Sequence, residues 1–345
     1  MTFYQPQSML VTGGAGFIGS NFIRHILTHK PQINIINLDK LTYAGSLANL
    51  KNLPNETRYH FIQGDITDQA LMQHLLIHHC IDTIVHFAAE SHVDRSIHSP
   101  ENFIHTNIVG TYALLEAARN IWLNTEKRNQ NQCRFHHIST DEVYGSLSID
   151  APPFTEAHPF APRSPYSASK ASSDHLVAAY FHTYGLPITI SHCSNNYGPY
   201  QHPEKFIPTV IRACLAQQKI PVYGNGKNRR DWLYVEDHCR GILQIIESGK
   251  IGECYNMGAH DEWENIALAR YICALFDKIA PQQSPHENLI QFVKDREGHD
   301  FRYAIDTTKI QNELGWKAKE NFESGLMKTI HFYARFHSAS FSESI

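Results

Sequence analysis

Short apolar runs alternate with amphipathic stretches along the first two-thirds of the chain. The apolar runs lie at residues 9–11, 33–38, 59–62, 83–87, 135–138 and 187–191. Between them lie helical patterns such as Ser20 to Leu27 and a longer stretch from about Pro100 to Trp122. Strands that alternate with helices predict a parallel, doubly wound α/β sheet, with ligands bound outside the carboxyl ends of its strands.

The character of the sequence changes after about residue 196. The segments NNYGPYQHPEKFIP and YGNGKNRRDW are rich in turn-forming and basic residues, whereas LYVEDHCRGILQIIESG again resembles a strand and a helix. We therefore expect residues 1–195 to form a nucleotide-binding domain to which 231–256 return. Residues 196–230 and 257–345 are expected to form a smaller C-terminal α/β substrate domain.

Composition excludes several classes of protein. The 345 residues are 42% apolar and carry a formal charge of -4, which gives no electrostatic basis for binding nucleic acid. We find no signal-peptide pattern and no apolar stretch of membrane-spanning length. The seven cysteines are scattered without a CxxC pair, which favours reduced thiols and a cytoplasmic location. The 23 histidines show no HExxH or finger spacing, so we expect no metal site.

The first apolar run leads into VTGGAGFIGS, which places Gly13, Gly16 and Gly19 between a strand and a helix. Glycines at this spacing let backbone N–H groups approach a pyrophosphate at the helix N-terminus. Asp39 ends the next strand, twenty residues beyond Gly19. A carboxylate there can accept hydrogen bonds from the adenosine ribose and repels a 2′-phosphate, which favours NAD over NADP. The alternative is a tight turn without a ligand.

Two later strand ends extend the expected cofactor site. Asp65 and Ile66 follow the third strand and suit an adenine edge and face, although Asp65 could equally cap the following helix. Ala88 and Ala89 follow the fourth strand, where small side chains would allow close approach of the cofactor to the backbone.

A YxxxK element lies about 150 residues beyond the glycine motif. Tyr166 and Lys170 are spaced i,i+4, so both side chains lie on one face of a helix. A neighbouring lysine favours the phenolate and should lower the pKa of the tyrosine, which makes it a base for a hydroxyl proton. Thr140, at the end of the fifth strand, is the expected hydroxyl partner.

The fifth strand also ends in two adjacent acids, Asp141 and Glu142. Neighbouring side chains of a regular strand point to opposite faces, so both acids can meet one substrate only if the chain leaves strand geometry. We therefore predict a break at about Thr140, in the form of a helical turn. The alternative is that one acid caps a turn and the other faces water.

The chain resembles the extended short-chain dehydrogenase/reductases, which have a Rossmann sheet, and among them the dTDP-glucose 4,6-dehydratase family. The segments that carry the resemblance span nearly the whole length: TGGAGFIGS, LDKLTYAG, HFAAESHVDRSI, NIVGTYALLEAAR, ISTDEVYG, YSASKASSDHLV, CSNNYGPYQHPEKFIP, RDWLYVEDH and DREGHDFRYAID. The most specific of them are Thr140-Asp141-Glu142 and the NNYGPYQ and REGHDFRYAID runs. Through these motifs Phe17, Ile18, Lys40 and Thr42 join the expected NAD site.

The resemblance implies an NAD-dependent hydro-lyase acting on a nucleotide sugar. It implies that Tyr166, supported by Lys170 and Thr140, removes the 4-hydroxyl proton during oxidation at C4. Glu142 would then remove the C5 proton while Asp141 protonates the departing C6 hydroxyl, and two carboxyl groups in different protonation states suit this division.

The resemblance also implies the substrate contacts and the assembly. The expected nucleotide-sugar contacts are Ser91, His92, Asn195, Asn196, Glu204, Lys205, Tyr223, Arg230, Asn265, Arg296, His299 and Tyr303. Family members dimerise through a four-helix bundle, here formed by residues of about 100–122 and 166–184 from each subunit.

Three alternatives remain at the level of sequence. A nucleotide-sugar 4-epimerase would use the same glycine loop, tyrosine and lysine but has no use for the acid pair. A non-catalytic dinucleotide sensor would be expected to lose Tyr166 or Lys170. A UDP-glucose 4,6-dehydratase differs only in the base, and a single methyl group is worth about 1–3 kcal/mol in an apolar pocket.

Overall fold

The computed structural model of the protein describes residues 3–342. Its strands, in chain order, are β1 (Ser8–Thr12), β2 (Asn34–Asp39), β3 (Tyr59–Gln63), β4 (Thr83–His86), β5 (Arg134–Thr140), β6 (Ile188–Cys193), β7 (Asn195–Tyr197), β8 (Ile220–Tyr223), β9 (Arg229–Tyr234), β10 (Cys254–Met257), β11 (Glu262–Glu264) and β12 (Ile290–Val293).

The α-helices are α1 (Phe17–His29), α2 (Gln69–His78), α3 (Val93–His98), α4 (Pro100–Phe103), α5 (Thr111–Ala118), α6 (Pro165–Tyr184), α7 (Phe206–Ala216), α8 (Val235–Ser248), α9 (Asn265–Ile279), α10 (Thr308–Leu314) and α11 (Phe322–Ser342). Short 3₁₀ turns also occur, and the one at Asp141–Tyr144 directly follows β5.

Seven parallel strands form the main sheet in the order β10-β6-β5-β4-β1-β2-β3. The chain starts in the middle of the sheet and reverses direction between β1 and β4, which is the doubly wound Rossmann arrangement. The predicted fold class is confirmed. Because all seven strands are parallel, their carboxyl ends lie at one edge, and the loops after β1 to β5 meet there.

Both faces of this sheet are covered by helices. Leu10 and Ile84 belong to the core on one face, whereas Met9 and Val11 belong to the core on the other. The strands therefore consist of continuous apolar runs rather than strict alternations, as expected for a sheet buried on both sides.

The predicted long helix at 100–122 is helical throughout but not uniformly α-helical. Wider π-helical turns at Ile104–Gly110 and Arg119–Thr125 flank α5, and the stretch as a whole runs from Pro100 to Thr125. π turns insert an extra residue and change which side chains face inward, which a period-3.6 pattern does not reveal.

The smaller domain is assembled on a separate core from α7, α9 and α11, with the sheets β11-β9-β7 and β12-β8. α8 and β10 return to the main sheet, where β10 pairs with β6. Within the described residues, we find no helix long and apolar enough to cross a membrane.

Candidate active site

The glycine loop between β1 and α1 is tightly packed. Gly13 has φ +73°, and a Cβ there would lie 2.6 Å from the backbone nitrogen of Ala88. A larger residue at Gly13 would therefore separate the loop after β1 from the loop after β4. α1 begins at Phe17 with Gly16 as its N-cap and without a side-chain hydrogen bond to its first N–H groups. These donors fit a pyrophosphate, so the chain presents a suitable cradle for a dinucleotide.

The acids expected to bind the adenosine end lie at the same edge of the sheet. Asp39 is buried at the end of β2, and its carboxylate accepts hydrogen bonds from the backbone N–H of Ala15 at 2.9 Å and of Leu41 at 2.8 Å. Asp65 forms an ion pair of 2.7 Å with Lys40. Asp65 is not the cap of α2, because that role belongs to Asp68, which accepts from Leu71 N–H.

The remaining expected cofactor residues also lie in these loops. Phe17 and Ile18 open α1, Thr42 follows β2, and Ala89 follows β4. Ile66 is buried in the core and packs against Gly110.

The chain leaves strand geometry at Thr140, as predicted. Thr140 still has extended backbone angles, and its hydroxyl accepts a hydrogen bond from Glu142 N–H at 3.3 Å, which caps the 3₁₀ turn Asp141–Tyr144. In this turn Glu142 lines a cavity, whereas Asp141 is buried and does not line it. Gly145, at φ +93°, then ends the turn.

The two acids occupy different surroundings. Asp141 is buried, and its Oδ2 has no hydrogen-bond partner in the structure. Burial, followed by repulsion from Glu142 and Asp231, holds the pKa of Asp141 well above its ordinary value. The protonated, neutral form of Asp141 is therefore favoured, although the Thr140 hydroxyl donates to its Oδ1 at 3.3 Å.

Glu142 is half-buried and lines a cavity. Burial raises its pKa, but three cations, Arg230, Lys205 and Arg296, oppose that rise. Each carboxyl group thus has its own electrostatic setting, and Glu142 is the one more readily ionised.

Tyr166 and Lys170 lie on α6, as expected, but the expected lowering of the tyrosine pKa is wrong for this structure. Burial and the nearby charge of Glu142 hold the Tyr166 pKa well above its ordinary value, and only a hydrogen bond with Thr140 opposes them among the larger influences. Lys170 instead donates to the carbonyl of Ile138 at 2.7 Å. Burial lowers the Lys170 pKa to about 8.

A cavity of about 400 Å³ opens beside Glu142. All twelve expected substrate residues line it: Ser91, His92, Asn195, Asn196, Glu204, Lys205, Tyr223, Arg230, Asn265, Arg296, His299 and Tyr303. Arg230 stacks over the Tyr303 ring at 4.3 Å, and Arg296 over the Tyr223 ring at 4.9 Å. Arg230 also donates to the backbone carbonyls of Arg229 at 2.7 Å and Asp300 at 2.9 Å. The positive charge of both guanidinium groups suits a diphosphate.

The cavity also includes residues that the sequence did not single out. Asp300 has a nearly buried side chain that accepts from the Tyr303 hydroxyl at 2.5 Å and faces Arg163 at 3.3 Å. Gln201 and Trp232 also line the cavity. Asp300 stands inside the REGHDFRYAID run, so that run was the available signal; Gln201 stands in the NNYGPYQ run and Trp232 in RDWLYVEDH.

The fold and this arrangement of tyrosine, lysine and paired acids define a short-chain dehydrogenase/reductase built for nucleotide sugars. Residues 10–329 match the family profile described as GDP-mannose 4,6 dehydratase. Sequence relatives are more specific: a dTDP-glucose 4,6-dehydratase of Shigella flexneri is 54% identical over 94% of this chain and 92% of its own length. A dTDP-glucose 4,6-dehydratase of Neisseria meningitidis is 52% identical over 95% of this chain and 93% of its own. The chain belongs to the dTDP-glucose 4,6-dehydratase family.

Solved structures agree. A dTDP-glucose 4,6-dehydratase from Streptomyces venezuelae, solved with NAD and TYD bound, superposes with a TM-score of 0.86 at 44% identity, over 95% of this chain and 97% of that one. A UDP-glucose 4-epimerase from Thermotoga maritima, solved with UDP-glucose, has a TM-score of 0.82 at 26% identity, over 95% of this chain and 99% of that one. The fold alone therefore does not separate dehydratase from epimerase.

Proposed function

We propose that this protein is an NAD-dependent hydro-lyase that converts dTDP-glucose to dTDP-4-keto-6-deoxyglucose and water. The observation that supports the proposal is the split environment of the adjacent acids. Asp141 is buried and kept protonated, whereas Glu142 faces the cavity and its nearby cations. Elimination of water needs one acid and one base in this relation, and epimerisation needs neither.

The residues of the chain divide the reaction between them. When bound, NAD accepts a hydride from C4 and returns it to C6. Tyr166 would take the proton of the 4-hydroxyl once the positive charge of the bound nicotinamide opposes the burial that raises the Tyr166 pKa, and Thr140 beside it would orient that hydroxyl. Once C4 is a ketone, the C5 proton becomes acidic and Glu142 removes it. Asp141 delivers its proton to the C6 oxygen, which leaves as water, and Glu142 then reprotonates C5.

We propose that the cofactor lies across the carboxyl edge of the main sheet. Its pyrophosphate would face the uncapped start of α1 at Gly16 and Phe17, and its adenosine ribose would meet Asp39. The choice of NAD over NADP follows from the buried carboxyl of Asp39, because a 2′-phosphate would be repelled there.

We propose that the nucleotide and the sugar occupy this cavity. Its lining residues come from both of the domains that the sequence predicts, the nucleotide-binding domain and the substrate domain. Arg230 and Arg296 would bind the diphosphate, and Glu142 would lie against the sugar. The choice of thymine over uracil rests on the sequence relatives.

We further propose a homodimer. The helical stretch 100–125 and α6 pack side by side, and Tyr180 of α6 donates to Glu116 of α5 at 2.6 Å. Their outer face exposes Ile104 (53%), Tyr112 (47%) and Tyr184 (47%). Exposed apolar side chains on two adjacent helices suit packing against the same pair in a second subunit. A cytoplasmic location stays a prediction from the cysteine pattern.

Incubation with dTDP-glucose deuterated at C4 tests the reaction. Internal return of the hydride places the deuterium at C6 of a 4-keto product, which mass spectrometry and NMR of the product detect. Deuterium kept at C4 of a galactose epimer would instead establish the epimerase. A parallel incubation with UDP-glucose compares the two bases through kcat/KM.

A further inference from the structure

A buried carboxylate lies one helical turn beyond Lys170, and the reaction described above does not use it. Asp174 on α6 is 2% exposed. The Ser139 hydroxyl donates to its Oδ2 at 2.7 Å, and His192 Nε2 lies 3.1 Å from the same oxygen. Its other oxygen, Oδ1, lies 3.3 Å from His137 Nε2. Asp174 therefore joins α6 to β5 and β6 below the active site.

The hydrogen-bond directions around His192 can be assigned from its neighbours. The side-chain nitrogen of Asn256 donates to the carbonyl of Phe154 at 2.9 Å, so Asn256 Oδ1 must face the Tyr144 hydroxyl, 2.9 Å away. Tyr144 donates its single hydrogen to that oxygen. Its own oxygen must then accept from His192 Nδ1, which lies 3.1 Å away and therefore carries a hydrogen.

The second nitrogen of His192 faces the carboxyl group. Burial alone would raise the pKa of Asp174, but the neighbouring His137 and His192 lower it well below its ordinary value, so Asp174 is a carboxylate. His192 Nε2 lies 3.1 Å from Asp174 Oδ2, so the ring joins Tyr144 to Asp174 through its two nitrogens.

The other oxygen of Asp174 leads to Lys170. His137 Nε2 lies 3.3 Å from Asp174 Oδ1 and 3.3 Å from Lys170 Nζ, so it separates the carboxylate from the ammonium group. Burial lowers the Lys170 pKa, and Asp174 is the largest opposing influence. The titratable groups around Lys170 are Tyr166 and Asp174 of α6, His86 of β4, His137 of β5 and Cys193 of β6.

We propose that Asp174 is a positioning residue that acts on both parts of the reaction, on Lys170 through His137 and on the acid-bearing turn through His192 and Tyr144. Tyr144 is the last residue of the 3₁₀ turn that carries Asp141 and Glu142. The Asp174 carboxylate would thus fix the position of Lys170 relative to the turn that carries Asp141 and Glu142. The inference rests on the proposed dehydration.

Single-turnover kinetics with dTDP-glucose separate the two arms. The near-ultraviolet absorbance of reduced nicotinamide rises with oxidation at C4 and decays when the hydride returns to C6. Tyr144→Phe keeps the ring that stacks on Phe154 but removes the hydroxyl. We expect an unchanged rise and a decay slowed by about 10- to 100-fold, the usual cost of misplacing a catalytic group. An unchanged decay would overturn the arm through Tyr144.

Asp174→Asn tests the arm through Lys170. Loss of the carboxylate removes the influence that raises the Lys170 pKa, so Lys170 should lose its proton at lower pH. The rate of the absorbance rise, measured as a function of pH, should therefore begin to fall at a lower pH than in the unaltered protein. A general loss of packing would not produce this shift. An unchanged pH dependence in a folded variant would overturn this arm.

Two serines give a matched control at this position of the sheet. Ser139→Ala removes the hydroxyl that donates to Asp174. Ser191→Ala, on the neighbouring strand, removes a hydrogen-bond partner of His136 instead. The other ring nitrogen of His136 contacts Thr189, so this control does not lead to the active site. We expect the decay to slow in Ser139→Ala only, and equal effects of the two variants would overturn the proposal. Failure of the unaltered protein to form the 4-keto product would instead contradict the proposed function.

Discussion

At the scale of single residues, the cavity-facing carboxyl group of Glu142 is the group most directly tied to elimination. We expect Glu142→Gln to retain oxidation at C4, because Tyr166, Lys170 and Thr140 are unaltered. Water loss should fall by about 10²- to 10⁴-fold, the range typical for removal of a general base. Reduced nicotinamide should then accumulate, which its absorbance reports.

Glu236→Gln is the matched control for that experiment. Glu236 lies in the first turn of α8 and does not line the cavity. The control should turn over normally. Water loss at the ordinary rate in Glu142→Gln would show that another group removes the C5 proton.

Asp141 should reduce the stability of the protein that carries it. The pKa of Asp141 is raised in the folded state, so folding favours its protonated form. Its burial therefore costs no stability below about pH 3.8, the ordinary pKa, and the free energy of unfolding falls as the pH rises from there toward the folded-state pKa. Asp141→Asn does not titrate and should therefore be more stable than the unaltered protein at neutral pH. Urea unfolding at several pH values measures the difference, which should shrink as the solution is made more acidic.

Asp306→Asn should have the opposite sign. The pKa of Asp306 is lowered chiefly by a hydrogen bond from the Thr308 side chain and further by the Thr308 N–H, which donates to the carboxylate at 2.7 Å. Its contribution is present above the ordinary pKa and lost as pH falls through the folded-state value, so Asn should destabilise the protein at neutral pH. A gain of stability in both variants would mean that burial of Asp141 is not the cause.

Sequence reasoning located these residues but not all of their energetics. The break at Thr140 was predictable, because two adjacent side chains of a strand cannot face one substrate. The raised pKa of Tyr166 was not, because i,i+4 spacing indicates that Lys170 is near but not that the phenol is buried or that Lys170 donates to Ile138. The contacts of Asp174 could not be predicted from its helical pattern, because its partners lie on two other elements, β5 and β6.

At the scale of elements, α6 positions the base and begins in an N-terminal capping box. The Ser164 hydroxyl accepts from Ser167 N–H at 3.0 Å, the Ser167 hydroxyl accepts from Ser164 N–H at 3.1 Å, and Pro165 occupies the first turn. Tyr166 stands immediately beyond. The cap therefore fixes the start of the helix that carries both Tyr166 and Lys170.

Ser164→Ala should lower the free energy of unfolding by about 1 kcal/mol, the usual value of such a cap. Ser172→Ala on the same helix is the control, because Ser172 donates only to the carbonyl of Ala168 within the helix and alanine is the better helix former. Denaturant unfolding compares the two. Equal losses would show that the cap contributes nothing of its own.

Elements with a strong period were predictable, and irregular ones were not. The strands of the main sheet follow from apolar runs, since a sheet covered on both faces needs no alternation. The π turns at Ile104–Gly110 and Arg119–Thr125 could not be predicted from a local pattern, and their packing partners differ, since the first contacts α6 and the second contacts α2. The choice of Asp68 over Asp65 as the cap of α2 likewise depends on where the helix starts.

At the scale of the whole molecule, the apolar face on residues 100–125 and α6 governs assembly. Tyr112→Glu places a charge in the middle of that face and should convert a dimer to a monomer. Light scattering coupled to gel filtration measures the mass. Phe292→Glu, at a side chain that is 55% exposed on β12, is the control and should leave the mass unchanged. A dimer in both variants would place the interface elsewhere.

The domain-level arrangement was accessible to sequence only in outline. The change of character after residue 196 indicated a smaller domain, and the run at 231–256 resembled the main domain again. The ion pair of Arg296 with Asp94 at 3.3 Å, and that of Arg163 with Asp300, join distant segments across the cavity and leave no local pattern.

On the proposed function, the unpartnered oxygen of Asp141 sets stability against activity at a single position. Replacement of this one acid would relieve the cost of its burial and, at the same time, remove the proposed proton donor of the elimination. Tyr166, Lys170 and the glycine loop lie on other elements and would be undisturbed, so the altered chain would keep the groups proposed for hydride transfer.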